Sequence, residues 1–371
     1  MKNIKLCLLI ILAGVAKLLP AQETLSPYNP DNIKQLMDKN AAWFQNEIIS
    51  QNLNNERLIT WNGAAYYSGL LEAWKYTKDE NYLKQLKTVG RNFDWKLHPG
   101  HQNSTANNLL IGDVYLNMYL EEEDTACIAD LKKEIKRIVA SEFTGGDYWW
   151  WVDALFVGPP TFALLSQVTG NPAYLDFMHK KWQFTYKDLY DEREHLFYRD
   201  SNWVCNPNDS KTCTSSGGKI FWSRGNGWAV GGICRLLNYL PEGHPYRKFY
   251  IKILKKTLKS ITAYQQQDGL WTSNLVDQKD FPDTETSGSA LFCYAMAWGI
   301  NNGIVSRKKY EPVVRKTWMA LVKCIQPEGY LGQCQVEAHS PGKVSPTDTD
   351  WFGQGLFLLA ATEVLRMTDN R

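Results

Sequence analysis

The residue best suited to chemistry is Asp153, set in the run Asp147-Tyr148-Trp149-Trp150-Trp151-Val152-Asp153-Ala154-Leu155-Phe156, with Gly158-Pro159-Pro160 behind it. A carboxylate packed among indoles and aliphatic side chains is partly desolvated, which disfavours its charged form and makes it hold a proton more tightly. A general acid needs that property, and flat indole faces suit a sugar ring, so Asp153 is the candidate catalytic residue, with Trp149 and Trp151 as candidate substrate contacts. The competing reading makes the aromatics core and Asp153 a helix cap.

A second constellation is Phe221-Trp222-Ser223-Arg224-Gly225-Asn226-Gly227-Trp228. Arg224 can fork onto a carboxylate, Trp222 and Trp228 offer flat faces, and glycines on both sides of Asn226 permit close backbone approach. A guanidinium framed by tryptophans at a helix start is costly to bury without a partner, which favours an anionic ligand over a structural acid. Asn107 and Asn108 can bind sugar hydroxyls or cap a helix, and the two readings balance. Thr286 and Ser287, next to Glu285, are similarly placed; capping is favoured there, and both stay as secondary candidates. His101 and His339 lie in loops, where lone histidines are mostly solvated. The six histidines lack ligand spacing, and neither a glycine-rich phosphate cradle nor a Ser/His/Asp order occurs, so no metal or cofactor is expected.

The elements that must position these residues follow a repeating pattern. A polar or aromatic opening and a Gly or Pro precede a helix that is small or apolar nearly all round, at Trp61-Asn62-Gly63, Asn107-Asn108, Asp153, Arg224-Gly225-Asn226-Gly227, Glu285-Thr286-Ser287-Gly288 and Asp350-Trp351-Phe352-Gly353. Helices apolar on every side are buried. Between them lie amphipathic stretches: Tyr250, Leu254, Leu258 and Ile261 share one face, while Lys252, Lys255, Lys256 and Lys259 point elsewhere, and Val314, Trp318, Leu321, Val322 and Ile325 repeat the arrangement. Two matching turns, Gln267-Asp268-Gly269-Leu270-Trp271 and Pro327-Glu328-Gly329-Tyr330-Leu331, support internal repetition. Six inner and six outer helices close most simply into an all-α (α/α)6 barrel, read as one domain over 22–371. All six openings then gather at one end as a cleft, with helix amino termini that favour anions. An open helical array with a concave face is the alternative.

The chain has 371 residues, 44% of them hydrophobic, and 41 basic against 39 acidic side chains with no long basic run, so no nucleic-acid partner is expected. Lys2 and Lys5 followed by Leu6-Cys7-Leu8-Leu9-Ile10-Ile11-Leu12-Ala13 read as a signal peptide over 1–21, too short to span a bilayer, so the protein is expected to be exported to the periplasm or the medium. Cleavage leaves an odd number of scattered cysteines, which argues against a disulfide scaffold. Cys205 and Cys213 flank a polar loop and can pair in an oxidising compartment; Cys324 and Cys334 are a weaker candidate pair.

Trp151 to Pro160, His195 to Ser201, Phe221 to Trp228, Glu285 to Ala290 and Glu311 to Trp318 together resemble glycoside hydrolase family 105, the unsaturated rhamnogalacturonyl hydrolases, whose sister is family 88. The likeness runs from about Trp43 to the carboxyl terminus. It implies an (α/α)6 barrel and removal of a 4,5-unsaturated uronic acid from the non-reducing end of oligosaccharides left by polysaccharide lyases, on rhamnogalacturonan-type substrates or unsaturated glucuronides. In that chemistry an acid protonates C4 of an enol ether, water adds at C5, and the hemiketal opens. The resemblance makes Asp153 the acid/base, puts Trp151 in the same pocket, and gives the uronate to Arg224 with Trp228. This chain departs at Asn107-Asn108, where the family often has an acid, and near Tyr198-Arg199-Asp200, where many members have a histidine; Arg199 becomes a candidate second anion contact. A polysaccharide lyase on the same ring and a non-catalytic saccharide-binding protein are the competing readings.

Overall fold

A computed structural model describes residues 26–98, 106–141, 149–206, 208, 209 and 211–369. The expected signal segment, His101, Asp147 and Tyr148 lie outside the described residues. Helices run α1 (Pro30–Trp43), α2 (Trp61–Thr77), α3 (Glu80–Asn92), α4 (Leu110–Glu122), α5 (Ala126–Ala140), α6 (Ala154–Val157), α7 (Pro159–Thr169), α8 (Pro172–Leu189), α9 (Ser223–Tyr239), α10 (Arg247–Thr262), α11 (Thr286–Asn301), α12 (Arg307–Lys323) and α13 (Trp351–Asp369). Local chemistry starts several of them. Asn29 and Asn171 cap α1 and α8 ahead of prolines, and Asp79 caps α3.

Apolarity sorts the helices into two rings. Residues 62–74 of α2 and 286–300 of α11 are buried without a break, whereas α10 buries Tyr250, Leu254, Leu258 and Ile261 and leaves Lys252, Lys255 and Lys259 exposed. Inner helices touch in the order α2, α4, α7, α9, α11, α13 and back to α2, so the ring is closed and the open array is excluded. The expected (α/α)6 barrel is the observed architecture, and the last seam shows why it can shut. A Cβ on Gly69 would stand 2.0 Å from Gly355 O, and one on Gly355 would stand 2.1 Å from Ala65 O, so α2 and α13 meet backbone to backbone.

The third inner helix comes in two pieces, α6 and α7, because Pro159 and Pro160 carry no N–H for the carbonyls of Leu155 and Phe156. Arg235 Nη1 donates to Phe156 O at 3.1 Å and satisfies the carbonyl that Pro160 orphans. The same guanidinium bonds Asp113 Oδ2 at 2.7 Å, forming a buried ion pair within the inner ring.

The two matching turns are structural equivalents. Gly269 and Gly329 sit at φ +100° and +117°, and each turn closes with a 2.9 Å bond, Gln266 N to Leu270 O and Gln326 N to Tyr330 O. Short antiparallel ribbons pair β1 (Tyr190–Asp191) with β2 (Leu196–Phe197) and β3 (Trp271–Thr272) with β4 (Thr284–Glu285). Cys205 is bonded to Cys213, with Cα atoms 4.9 Å apart, while Cys324 and Cys334 are free thiols.

Filling the α2–α13 seam should be expensive. Gly355→Ala is expected to cost about 1–3 kcal/mol or more in chemical denaturation, while Gly243→Ala, whose Cβ would meet nothing within 4 Å, should leave stability unchanged.

Candidate active site

The amino ends of four inner helices converge on one pocket. Trp61 opens α2, Asn107 lies on the 3-10 turn before α4, Asp153 precedes α6, and Trp222, Arg224 and Trp228 belong to the start of α9. Asp153 borders α6 yet makes no capping bond to it, and its buried Oδ2 has no hydrogen-bond partner. Its side chain is 20% exposed. Burial pushes its pKa above the ordinary carboxylate value, against the opposing pull of Arg199, Arg224 and His339. The cap reading therefore fails on geometry, and the carboxyl is left facing the pocket.

Arg199 reaches Asp153 through the β1–β2 ribbon. Beyond β2 the chain bridges back to the indole segment: Trp151 pairs with Asp200, and Val152 N donates to Arg199 O at 2.8 Å. This sets Arg199 Nε 4.0 Å from Asp153 Oδ2, while its Nη1 holds Asp200. Nη2 lies 3.1 Å from His339 Nδ1, and the guanidinium carbon stands 5.1 Å from the ring centre of Trp150.

Arg224 is 1% exposed and, among the described residues, has no carboxylate within ion-pair distance. Its guanidinium lies between the rings of Trp222 and Phe352, at 4.4 and 4.7 Å. It donates to Gln335 O, to Val336 O at 3.0 Å and weakly to Ser287 Oγ at 3.4 Å. Burial lowers its pKa, and the nearest help comes from Glu285. That carboxylate is spent elsewhere: it accepts from Ser223 Oγ and Ser287 N at 2.7 Å and from Gly288 N at 2.6 Å, which caps α11. A buried cation held only by neutral groups is a ready site for an anion.

A profile of glycosyl hydrolase family 88 matches residues 32–368. The chain belongs to that family. It is 33% identical over the full length of both chains to an unsaturated 3S-rhamnoglycuronyl hydrolase of Formosa agariphila. Two solved structures superpose with TM-scores of 0.83: a glycosyl hydrolase family 88 protein from Bacteroides vulgatus, 30% identical over 91% of this chain and 99% of that one, and a protein named as a polysaccharide lyase, 31% identical over 92% and 99%. Membership of family 88 makes the chain a glycoside hydrolase of unsaturated uronic acids, as the sequence resemblance implied.

Of the residues singled out in the sequence of this family 88 hydrolase, seven stand on the pocket wall: Asp153, Asn107, Trp151, Arg199, Trp222, Arg224 and Trp228. Five do not. Trp149 is 0% exposed, packed beneath Gly158 and against Phe162. Asn226 is equally buried, and its carboxamide bonds Phe197 N at 2.8 Å and Phe197 O at 3.0 Å, fixing the ribbon that carries Arg199. Thr286 Oγ1 donates to Gly332 O at 2.9 Å, Ser287 lies behind Arg224, and Asn108 is half-buried off the wall. The structure adds Trp61, Glu337 and His339. His339 is exposed but lines the pocket and meets Arg199, and Glu337 carried no motif; the available signal was topological, since both sit in the connection from α12 to the sixth opening.

The balance around Asp153 has a signed consequence for activity. An acid with a raised pKa is protonated below that value, so kcat/KM should be retained at low pH and fall as pH rises through it. Arg199→Gln removes a charge that favours the carboxylate and frees Asp200 as a nearby anion. The alkaline limb of the pH profile is expected to move to higher pH in that variant.

Proposed function

We propose that Asp153 is the acid and then the base of the reaction, and that the substrate is an unsaturated 3S-rhamnoglycuronyl unit, the class in the name of the Formosa agariphila relative. The observation that carries the proposal is an uncapped, desolvated carboxyl in one pocket with a buried cation that lacks an anion. The uronate carboxylate goes to the donors around Arg224, joined by Trp228 Nε1, which is buried and unpartnered. Protonated Asp153 gives its hydrogen to C4, and the cation at C5 is shared with the ring oxygen. Asp153, now a carboxylate, takes a proton from the water that adds to C5. The hemiketal opens and releases the neighbouring sugar, and the acid is restored. One carboxyl serves both steps, so the two-carboxylate spacing of ordinary glycosidases does not apply.

Export is the second part of the proposal. The charged and apolar amino-terminal run supports it, as does the Cys205–Cys213 bond, since such bonds persist in oxidising compartments. Mass spectrometry of protein recovered outside the cytoplasm should show a chain beginning after Ala21 with that pair oxidised.

Asp153→Asn should still bind the unsaturated disaccharide but lose turnover by about three orders of magnitude or more, measured as the disappearance of the ultraviolet absorbance of the conjugated double bond. Turnover at the wild-type rate would remove Asp153 from its role. The same measurement on intact polysaccharide answers the reading raised by the lyase-named neighbour, because a lyase creates that absorbance and this hydrolase destroys it.

A further inference from the structure

The polar groups on the pocket wall are unequal in kind. Arg199 and Arg224 can only donate, and so can the indole of Trp228. His339 Nδ1 is taken by Arg199, which can only donate, and the ring offers the pocket no second acceptor. Trp222 Nε1 is already spent on Gln335 Oε1 at 2.9 Å. Asp153 must carry a proton to act. Apart from Asp153 itself, whose place is at the reacting C4–C5 edge, and Asn107, which can accept or donate, the remaining acceptor side chain on the described wall is Glu337.

An unsaturated uronate is unequal in the matching way. Its carboxylate accepts hydrogen bonds and suits the donor side, but its C2 and C3 hydroxyl hydrogens need acceptors. We infer that Glu337 accepts from a ring hydroxyl of the uronic acid and so determines specificity for a hydroxylated ring, an inference that rests on the reaction proposed above. The carboxylate is built into a fixed frame. Its Oε2 takes a hydrogen bond from Asn62 Nδ2 at 3.0 Å, and Asn62 is only 4% exposed at the start of α2. Its backbone N–H donates to Asp350 Oδ2 at 3.0 Å, and the carbonyl just before it, Val336 O, holds Arg224. One short segment thus presents an acceptor to the pocket and fixes the cation that would hold the opposite edge of the ring. Arg57 lies 3.9 Å from the carboxylate, and half of the side chain remains exposed, so the contacts within the protein leave acceptor capacity free.

The test is kcat/KM for wild type, Glu337→Gln and Glu337→Ala on an unsaturated uronyl disaccharide and on its 2-deoxy and 3-deoxy uronyl analogues. Glu337→Ala should lose about ten- to hundredfold on the parent, as expected for a hydrogen bond to a charged group. The loss should largely vanish on the analogue that lacks the partner hydroxyl, with Glu337→Gln, which keeps the acceptor but not the charge, in between. Equal losses on the parent and both analogues would show a purely structural side chain and overturn the inference, as would no loss at all. Wild type and Asp153→Asn run alongside: a wild type that turns over and an Asp153→Asn that does not, combined with equal Glu337 losses, refute the role of Glu337 alone. A wild type that leaves the parent disaccharide untouched refutes both.

Discussion

A single buried guanidinium organises the mouth of the barrel. Arg224 ties the start of α9 to the carbonyls of Gln335 and Val336, lies against Phe352 of α13, and has its desolvation only partly offset by a Glu285 that caps α11. Four segments distant in sequence therefore share one charge. Arg235, at the far end of α9, is the instructive contrast: it too is 1% exposed, but Asp113 neutralises it directly. Within one helix the protein pairs one arginine and withholds a partner from the other, and the withheld one faces the pocket. The desolvation of Arg224 is a cost that ligand binding can offset.

The same economy governs Asp153. Desolvation raises its proton affinity and three cationic or protonatable neighbours lower it, so its state reflects a contest and not burial alone. Arg199 is the adjustable member, because Asp200, His339 and Trp150 all compete for its guanidinium. Asn226, although it never reaches the pocket, sets this contest by pinning β2 and with it the position of Arg199.

Much of this was legible in the sequence because the ring is built from repeats. Apolar-all-round helices, amphipathic partners and the two glycine turns each carry a period or a local rule, and the structure follows them through to closure. The pocket members near a motif, Asp153, Trp151, Trp222, Arg224 and Trp228, were legible for the same reason. Residue type misled where one side chain serves two physical ends. Trp149 and Trp151 are two positions apart in an aromatic run, yet one fills the space under Gly158 and the other lines the cavity. Asn226 sits inside the best motif and spends its carboxamide on the backbone. Glu337 and His339 are set by the path of a connection, which no local pattern encodes.

The break in the third inner helix bears on the acid directly. A long helix beginning at Asp153 would present the summed field of its peptide units to that carboxyl and stabilise the anion, working against proton retention. With prolines at 159 and 160, α6 is four residues long, and the carbonyl of Phe156 is turned to Arg235. The backbone behind the acid is thereby divided into two short pieces, and what holds the hydrogen on the carboxyl is its burial.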